Sequence, residues 1–358
     1  EEKEDLFVDM IGECRKYSPD LILLNHRLGL KKAEQCATTF LWEGKESYID
    51  VNSFNTCAAP HNRVGALGRG LVPDLKRLTE DHGVCLSSCL DYWEDELVLQ
   101  AFNRSLLLSP QIYGNPWLLS DREFPKLARI FNLHRKFSGL LVDGIELPSA
   151  YGKYAVSRGD DKTRLITLRN LTWEPQKVKI VLNHEIGLEE CKHVKCRLYH
   201  PVERILGIYN YGESVEVTVL PFRSMLFYAS ADESLDGIGV EGTDFEIIKD
   251  VAGKPIEINL LGFAGTQSHI KLNNLPGVEK IEMDGQDVTK KLSNSKTMNI
   301  NFEGGKYSKS YHRKIADLSP VSIPYDVNTL YEATVFVADN NAMEVRSLYR
   351  SGTTKIKQ

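Results

Sequence analysis

The spacing of apolar positions changes once along the chain, near residue 137. Before that point, short apolar runs at Leu21–Leu24, Ala37–Leu41, Phe54–Ala59 and Val84–Leu90 each lead straight into polar or aromatic residues. Runs that are apolar on both faces suit buried parallel strands. Helical spacing fills the intervals. Leu6, Phe7, Met10, Ile11 and Cys14 share one face of a helix predicted at Asp5–Tyr17. A second helix is predicted at Leu71–Asp81, with Pro73 in its first turn. A third, Asp95–Tyr113, is apolar nearly all round and is expected to be buried on most sides. A fourth, Arg122–Lys136, turns Phe124, Leu127, Ile130, Phe131 and Leu133 inward, with a capping box of Ser120 and Glu123 at its start. Four strands alternating with helices amount to half of an eight-stranded barrel. In such barrels the site residues sit where the strands end.

Beyond residue 137 the period becomes two. Tyr154–Ser157, Arg164–Leu168, Val178–Leu182, Lys195–Tyr199, Val215–Leu220 and Ser224–Tyr228 alternate or run apolar between turn-forming clusters, the pattern of an antiparallel β-sandwich. A further β region follows from Asp232, with strands at Ile256–Leu260, Ser268–Leu272, Val278–Met283 and Thr297–Phe302, an Asp284-Gly285 hairpin signal, and one more strand at Tyr331–Asp339. The expected fold class is therefore α/β plus all-β. Residues 1–137 form the C-terminal half of a (β/α)8 barrel, residues 138–231 a β-sandwich and residues 232–358 a second, incomplete β-rich domain.

Composition narrows the function classes. The chain of 358 residues carries a net charge of −5 without a dense Lys/Arg block, which argues against a nucleic-acid partner. No apolar run reaches membrane-spanning length, and the opening EEKEDLF lacks the basic start and long apolar run of a signal peptide. The seven cysteines are odd in number and include no CxxC pair, so neither a zinc site nor a dense disulfide framework is expected. Cys85 and Cys89 read as small buried hydrophobes. Cys191 and Cys196 flank a basic turn and leave a local disulfide open. Gly65–Gly70 lacks the ending and the context of a phosphate loop, and no metalloprotease or EF-hand motif is present. No metal and no cofactor are expected. Asn103-Arg104-Ser105 and Asn170-Leu171-Thr172 match the glycosylation pattern, the first inside a helix expected to be buried.

Several stretches resemble α-galactosidase (melibiase)-type glycoside hydrolases. Pro19–Arg27 (PDLILLNHR) is similar to a family strand ending in a small residue and Arg, and Ala37–Glu43 (ATTFLWE) to one ending in Trp and the acid/base carboxylate. Asn103–Leu119 is similar to the last barrel helix, and Lys162–Leu182 to the opening of the C-terminal β domain. The likeness covers roughly residues 5–230 and is architectural more than motif-specific; residues 232–358 have no family counterpart. It implies retaining hydrolysis of α-glycosidic bonds, an oligosaccharide or polysaccharide substrate, and a periplasmic or secreted setting. The family's nucleophile is an Asp ending the fourth barrel strand. Here the visible strands look like the fifth to the eighth, so the nucleophile is expected before Glu1, in a preceding part of the same protein.

Against that background the polar strand ends become candidates. Retaining glycosidases need two carboxylates roughly 5–5.5 Å apart. Glu43 follows Trp42, whose ring would reduce hydration and raise a carboxyl pKa, as a general acid requires; alternatively Glu43 begins a solvated loop. Asp91 is the second catalytic candidate, nearest the strand end in the densest acidic cluster. Glu94, Asp95 and Glu96 are accounted for as helix-start charges. Tyr92 and Trp93 are either a stacking platform for a sugar ring or core. Asn25, His26 and Arg27, and again His61, Asn62 and Arg63, are donor sets suited to sugar hydroxyls, with the arginines favouring an acidic sugar. The proposed substrate-binding set is thus Asn25, His26, Arg27, Trp42, His61, Arg63 and Trp93. A non-catalytic carbohydrate-binding protein with a degenerate barrel, and a barrel lyase or isomerase, remain as alternatives.

Overall fold

The structure is a computed structural model that describes residues 2–26, 32, 36–41, 78–80, 84–86, 93–103, 105–106, 109–114, 117, 119–172, 174–274, 278–293, 296–303, 330–339 and 342–351. Helix α1 (Glu2–Tyr17) is followed by four short strands, β1 (Leu24–His26), β2 (Thr39–Leu41), β3 (Leu78–Glu80) and β4 (Val84–Leu86). Helix α2 (Trp93–Asn103), β5 (Ser105–Leu106), β6 (Ile112–Gly114) and α3 (Phe124–Phe137) come next. Every strand pair here is parallel: β1–β2–β3–β5 form one sheet and β4–β6 another. Among the described residues these strands do not close into a barrel.

Two sequence-based expectations are corrected here. The helix expected at Leu71–Asp81 has Leu78–Glu80 as strand β3, held between β2 and β5. Tertiary pairing overrides the local helical spacing. The helix expected to run to Tyr113 ends at Asn103, ten residues early, and the chain returns as β5 and β6. The sheet captures that end. Arg158 Nε donates to the Asn103 carbonyl at 2.9 Å, one of the acceptors a helix terminus leaves open. The same guanidinium donates to Leu141 and Val142. Pro110 would also have removed a helical hydrogen bond had the helix continued. The strand expected at Phe54–Ala59 lies outside the described residues.

Beyond α3 come β7 (Gly144–Glu146), β8 (Val156–Gly159), β9 (Thr163–Arg169), β10 (Gln176–Val181), β11 (Val194–His200), β12 (Arg204–Tyr209), β13 (Ser214–Val219) and β14 (Ser224–Ser230). They form an antiparallel six-stranded sheet of order β12–β11–β14–β9–β8–β7 and a β10–β13 ribbon. The two sheets share a core. Ile166 and Leu168 of β9, Cys196 and Leu198 of β11, and Phe227 and Ala229 of β14 meet Val178 and Ile180 of β10 and Val215, Val217 and Val219 of β13. The alternate residues of the large sheet, Leu165, Tyr199, Leu226 and Tyr228, face the other way and pack on Leu97, Ala101 and Phe102 of α2 and Leu133 and Phe137 of α3. A strand buried on both faces reads as a nearly continuous apolar run, which is why SMLFY lacks alternation. Cys191 and Cys196 are free thiols, so no local disulfide forms, and burial pushes the Cys196 thiol up.

The last region comprises β15 (Gly239–Glu241), β16 (Asp244–Lys249), β17 (Glu257–Leu261), β18 (Gln267–Asn273), β19 (Glu282–Met283), β20 (Gln286–Asp287), α4 (Thr289–Leu292), β21 (Thr297–Asn301), β22 (Leu330–Asp339) and β23 (Ala342–Ser351). Asp284 and Gly285 join β19 to β20 with φ of 49° and 76°, as a hairpin turn with two left-handed residues demands. Val240, Phe245, Ile247, Ile270 and Ile300 make a separate core. Glu203, between β11 and β12, bridges backbone to backbone with Phe245, and its carboxylate takes Arg129 of α3 at 2.7 and 3.1 Å as well as Arg197. Arg197 in turn lies 5.1 Å over the Phe245 ring.

His134 of α3 is buried edge-on to Phe102 at 6.3 Å, and burial lowers its pKa from 6.5 to about 4. The folded protein holds the neutral ring. The stability this contributes is complete above pH 6.5 and lost as pH falls towards 4, a difference of at most about 3 kcal/mol. Urea unfolding of His134→Leu between pH 7 and 4.5 is expected to show a fall in stability about 2 kcal/mol smaller than in the parent chain. An unchanged fall would remove His134 from the acid response.

Candidate functional site

Two of the candidate residues, Asn25 and His26, lie in the parallel strands. In the β1–β2 pair, Asn25 lies opposite Phe40 and His26 opposite Leu41. In sequence Arg27 directly follows β1 and Trp42-Glu43 directly follow β2. Leu41 is also in register with Glu80, the last residue of β3. The amino edge of the β1–β2 pair is braced by α1. Arg15 donates to the Cys36 carbonyl at 2.5 Å, and Thr38 Oγ1 accepts from the Leu23 amide at 3.0 Å. In the second parallel pair Leu86 lies opposite Gly114, and Asp91 comes five residues beyond that strand end. Arg27, Trp42, Glu43, His61, Arg63 and Asp91 lie outside the described residues.

Trp93, the first residue of α2, is 4% exposed and packs with Leu97, Leu119 and Ile130. Its indole Nε1 donates to Glu123 at 2.8 Å. The second oxygen of Glu123 accepts from the Ser120 amide and hydroxyl at 2.7 and 2.9 Å, the return half of the predicted capping box. Helix α3 nevertheless starts only at Phe124, with Pro125 in its first turn. Here the carboxylate ties the loop before α3 to the start of α2.

The acidic start of α2 is more than a dipole effect. Asp95 is fully buried and lies against the large sheet. Its carboxylate accepts from Arg223 Nε at 2.9 Å, from the Ser224 amide at 3.3 Å and pairs with His200 Nε2. Glu94 meets Lys126 at 3.3 Å and Arg223 at 3.4 Å. Burial pushes the Glu94 carboxyl up, but the Lys126 and Arg223 charges outweigh it and leave it below its usual range. Burial holds His200 below its ordinary value against the opposing pull of Asp95. His200 and Arg223 stand 105 and 128 residues from Asp95, so no local pattern announces the cluster. It has an acid, an imidazole and a guanidinium in contact, but His200 and Arg223 are each 2% exposed, which suits them to holding α2 rather than to meeting a substrate.

The asparagines of both glycosylation-like sequences are buried. Asn103 is covered by the sheet and receives the Thr167 hydroxyl. Asn170 donates to the Glu174 and Val219 carbonyls at 2.7 and 3.0 Å while its oxygen accepts from the Thr172 amide at 2.8 Å. It closes the turn after β9. Among the described residues no cluster of His, Cys, Asp and Glu has the makings of a metal site, and no helix is long and apolar enough to cross a membrane.

No protein-family model and no curated protein matches the chain. Solved structures with similar segments are glycoside hydrolases. A family-27 β-L-arabinopyranosidase from Geobacillus stearothermophilus is 12% identical with a TM-score of 0.37, the match covering 56% of this chain and 46% of that one. An α-galactosidase I from Mortierella vinacea is 11% identical with a TM-score of 0.35, covering 56% and 54%. An α-amylase from Geobacillus thermoleovorans, complexed with acarbose, is 11% identical with a TM-score of 0.34, covering 64% and 57%. The chain thus spans about half the length of each of these structures.

Proposed function

We propose that the protein acts on carbohydrate as an α-galactosidase-like glycosidase, hydrolysing α-glycosidic bonds with retention. The supporting observation is the parallel register of β1 with β2, the two strands that directly precede Arg27 and Trp42-Glu43 in the sequence. Ligands of parallel sheets bind outside the carboxyl ends of the strands. In this proposal Glu43 is the acid/base carboxylate, kept protonated by its aromatic neighbour, and Asp91 is the other candidate for that role. Asn25, His26, Arg27, His61 and Arg63 donate to sugar hydroxyls, and Trp42 shapes the apolar side of the site; Trp93, read from the sequence as either platform or core, is core. Retention requires a second carboxylate roughly 5–5.5 Å from the first. Architecturally, residues 1–137 form the second half of a (β/α)8 barrel, 138–231 a β-sandwich and 232–358 a second β-rich domain, in a periplasmic or secreted setting.

The test is turnover of 4-nitrophenyl α-glycosides, including uronides, with the anomer of the first-formed sugar read by NMR. Hydrolysis with the α-anomer appearing first is expected. Retention of polysaccharide binding without turnover of any α-glycoside would overturn hydrolysis and leave a carbohydrate-binding protein.

A further inference from the structure

Helix α1 buries a single residue, Ile11, although its other apolar side chains are regularly spaced. Leu6, Met10, Cys14 and Tyr17 recur at intervals of four, four and three, so they form one line along the helix. Each of them faces water: Leu6 is 71% exposed, Met10 51% and Tyr17 90%, and Cys14 is an exposed thiol. The helix is held from the other side. Arg15 reaches the Cys36 carbonyl, and Lys32 binds Glu4 and Asp5. At 3.6 residues per turn those three anchors lie across the helix from the exposed line. Apolar area left in water contributes nothing to folding and stays available to association.

The two ends of α1 carry opposite charge. Glu2, Glu4 and Asp5 occupy the first turn, Arg15 and Lys16 the last. A second copy of α1 laid antiparallel sets each acidic end against a basic one and opposes the helix dipoles, whereas a parallel copy sets like against like. Asp9 and Glu13, exposed beside the line, repel an anionic membrane surface. We infer that the exposed line of α1 is a self-association surface, on which a second copy of this chain packs its own α1 in the antiparallel sense. The two-fold axis passes beside Met10. Met10 meets Met10 of the second copy, Leu6 meets Cys14, and Lys3 reaches the ring of Tyr17 as a cation–π contact. One helix from each copy makes a small interface, so the dimer is weak and concentration-dependent. The pairing is independent of any carbohydrate activity.

Sedimentation of the 358-residue chain under reducing conditions, from micromolar to submillimolar concentration, tests the pairing. The parent is expected to pass from monomer to dimer over this range. Met10→Glu and Met10→Lys each set two like charges at the axis and are expected to weaken dimerisation by about tenfold or more. Their circular dichroism should match the parent's, because the side chain lies at the surface. An equimolar mixture of the two variants is expected to dimerise again, since opposite charges then face each other; a folding defect would not be repaired by mixing. A parent that stays monomeric throughout would overturn the surface. So would Met10→Glu dimerising within about twofold of the parent. Variants that are monomeric alone and remain so when mixed would overturn the antiparallel pairing at Met10.

Discussion

Asp95→Ala is expected to destabilise the protein by about 3–5 kcal/mol, because it removes an acceptor from buried Arg223, His200 and the Ser224 amide at once. Arg223 Nε sits 2.9 Å from this carboxylate at 2% exposure, and His200 pairs with it at the same exposure. Taking the carboxylate away leaves the guanidinium charge without its nearest counter-charge, and the Ser224 amide loses an acceptor in the same step. The exposed Lys177–Glu216 pair, equally close at 2.9 Å, provides the contrast, since solvent screens it and Lys177→Ala is expected to leave stability nearly unchanged. Guanidinium unfolding of both variants measures the difference. A double variant, Asp95→Leu with Arg223→Met, is expected to recover part of the loss, because removing both charges costs less than stranding one. A shift below about 1 kcal/mol for Asp95→Ala would refute a load on this cluster.

Glu43→Gln is expected to lower kcat/KM on unactivated α-glycosides by about 10²–10⁴, the usual contribution of a positioned acid/base group. Gln keeps the shape and the hydrogen-bonding reach of the side chain but has no proton to give. The loss should shrink on 4-nitrophenyl glycosides, whose leaving group departs without protonation. The pH profile carries a second signature. A general acid is active below its pKa, so the parent rate falls as pH rises through that value, and the variant should lose this limb. Asp91→Asn, measured in parallel, separates the two candidates, since only the acid/base residue removes the limb. Wild-type kcat/KM in Glu43→Gln would end its assignment.

The antiparallel strands were the most legible part of the sequence. Arg164–Leu168, Lys195–Tyr199 and Ser224–Tyr228 each fall inside an observed strand, because burial on one or both faces leaves a clear apolar trace. Strand β12 was not legible. Gly207, at φ of 126°, interrupts it beside a register shift, and its partly exposed face blurs the alternation. Strand β3 was masked by helical spacing that its pairing overrides. In the candidate site, Asn25 and His26 could be read as the end of a strand because that boundary is local in sequence. The Asp95–His200–Arg223 cluster could not, because its members meet only through the folding of α2 onto β11 and β14. Leu6 and Met10 show a related limit: they lie on the helical face that spacing marks as inward, yet are 71% and 51% exposed, while Ile11 of the same face is buried.

Glu203 bears on how this chain can be recombined. Its carboxylate binds Arg129 from the helical layer and Arg197 from the large sheet, its backbone grips Phe245 from the last region, and Arg129 also reaches Asp250 at 3.5 Å. A module that travels between proteins needs a boundary crossed by few obligatory contacts. Here one residue is the shared hub of three segments that sequence period alone would cut apart. Gene fusion or shuffling at residue 231 would have to supply a substitute for Phe245 under Arg197. The heritable unit is therefore larger than the β-sheet layers suggest.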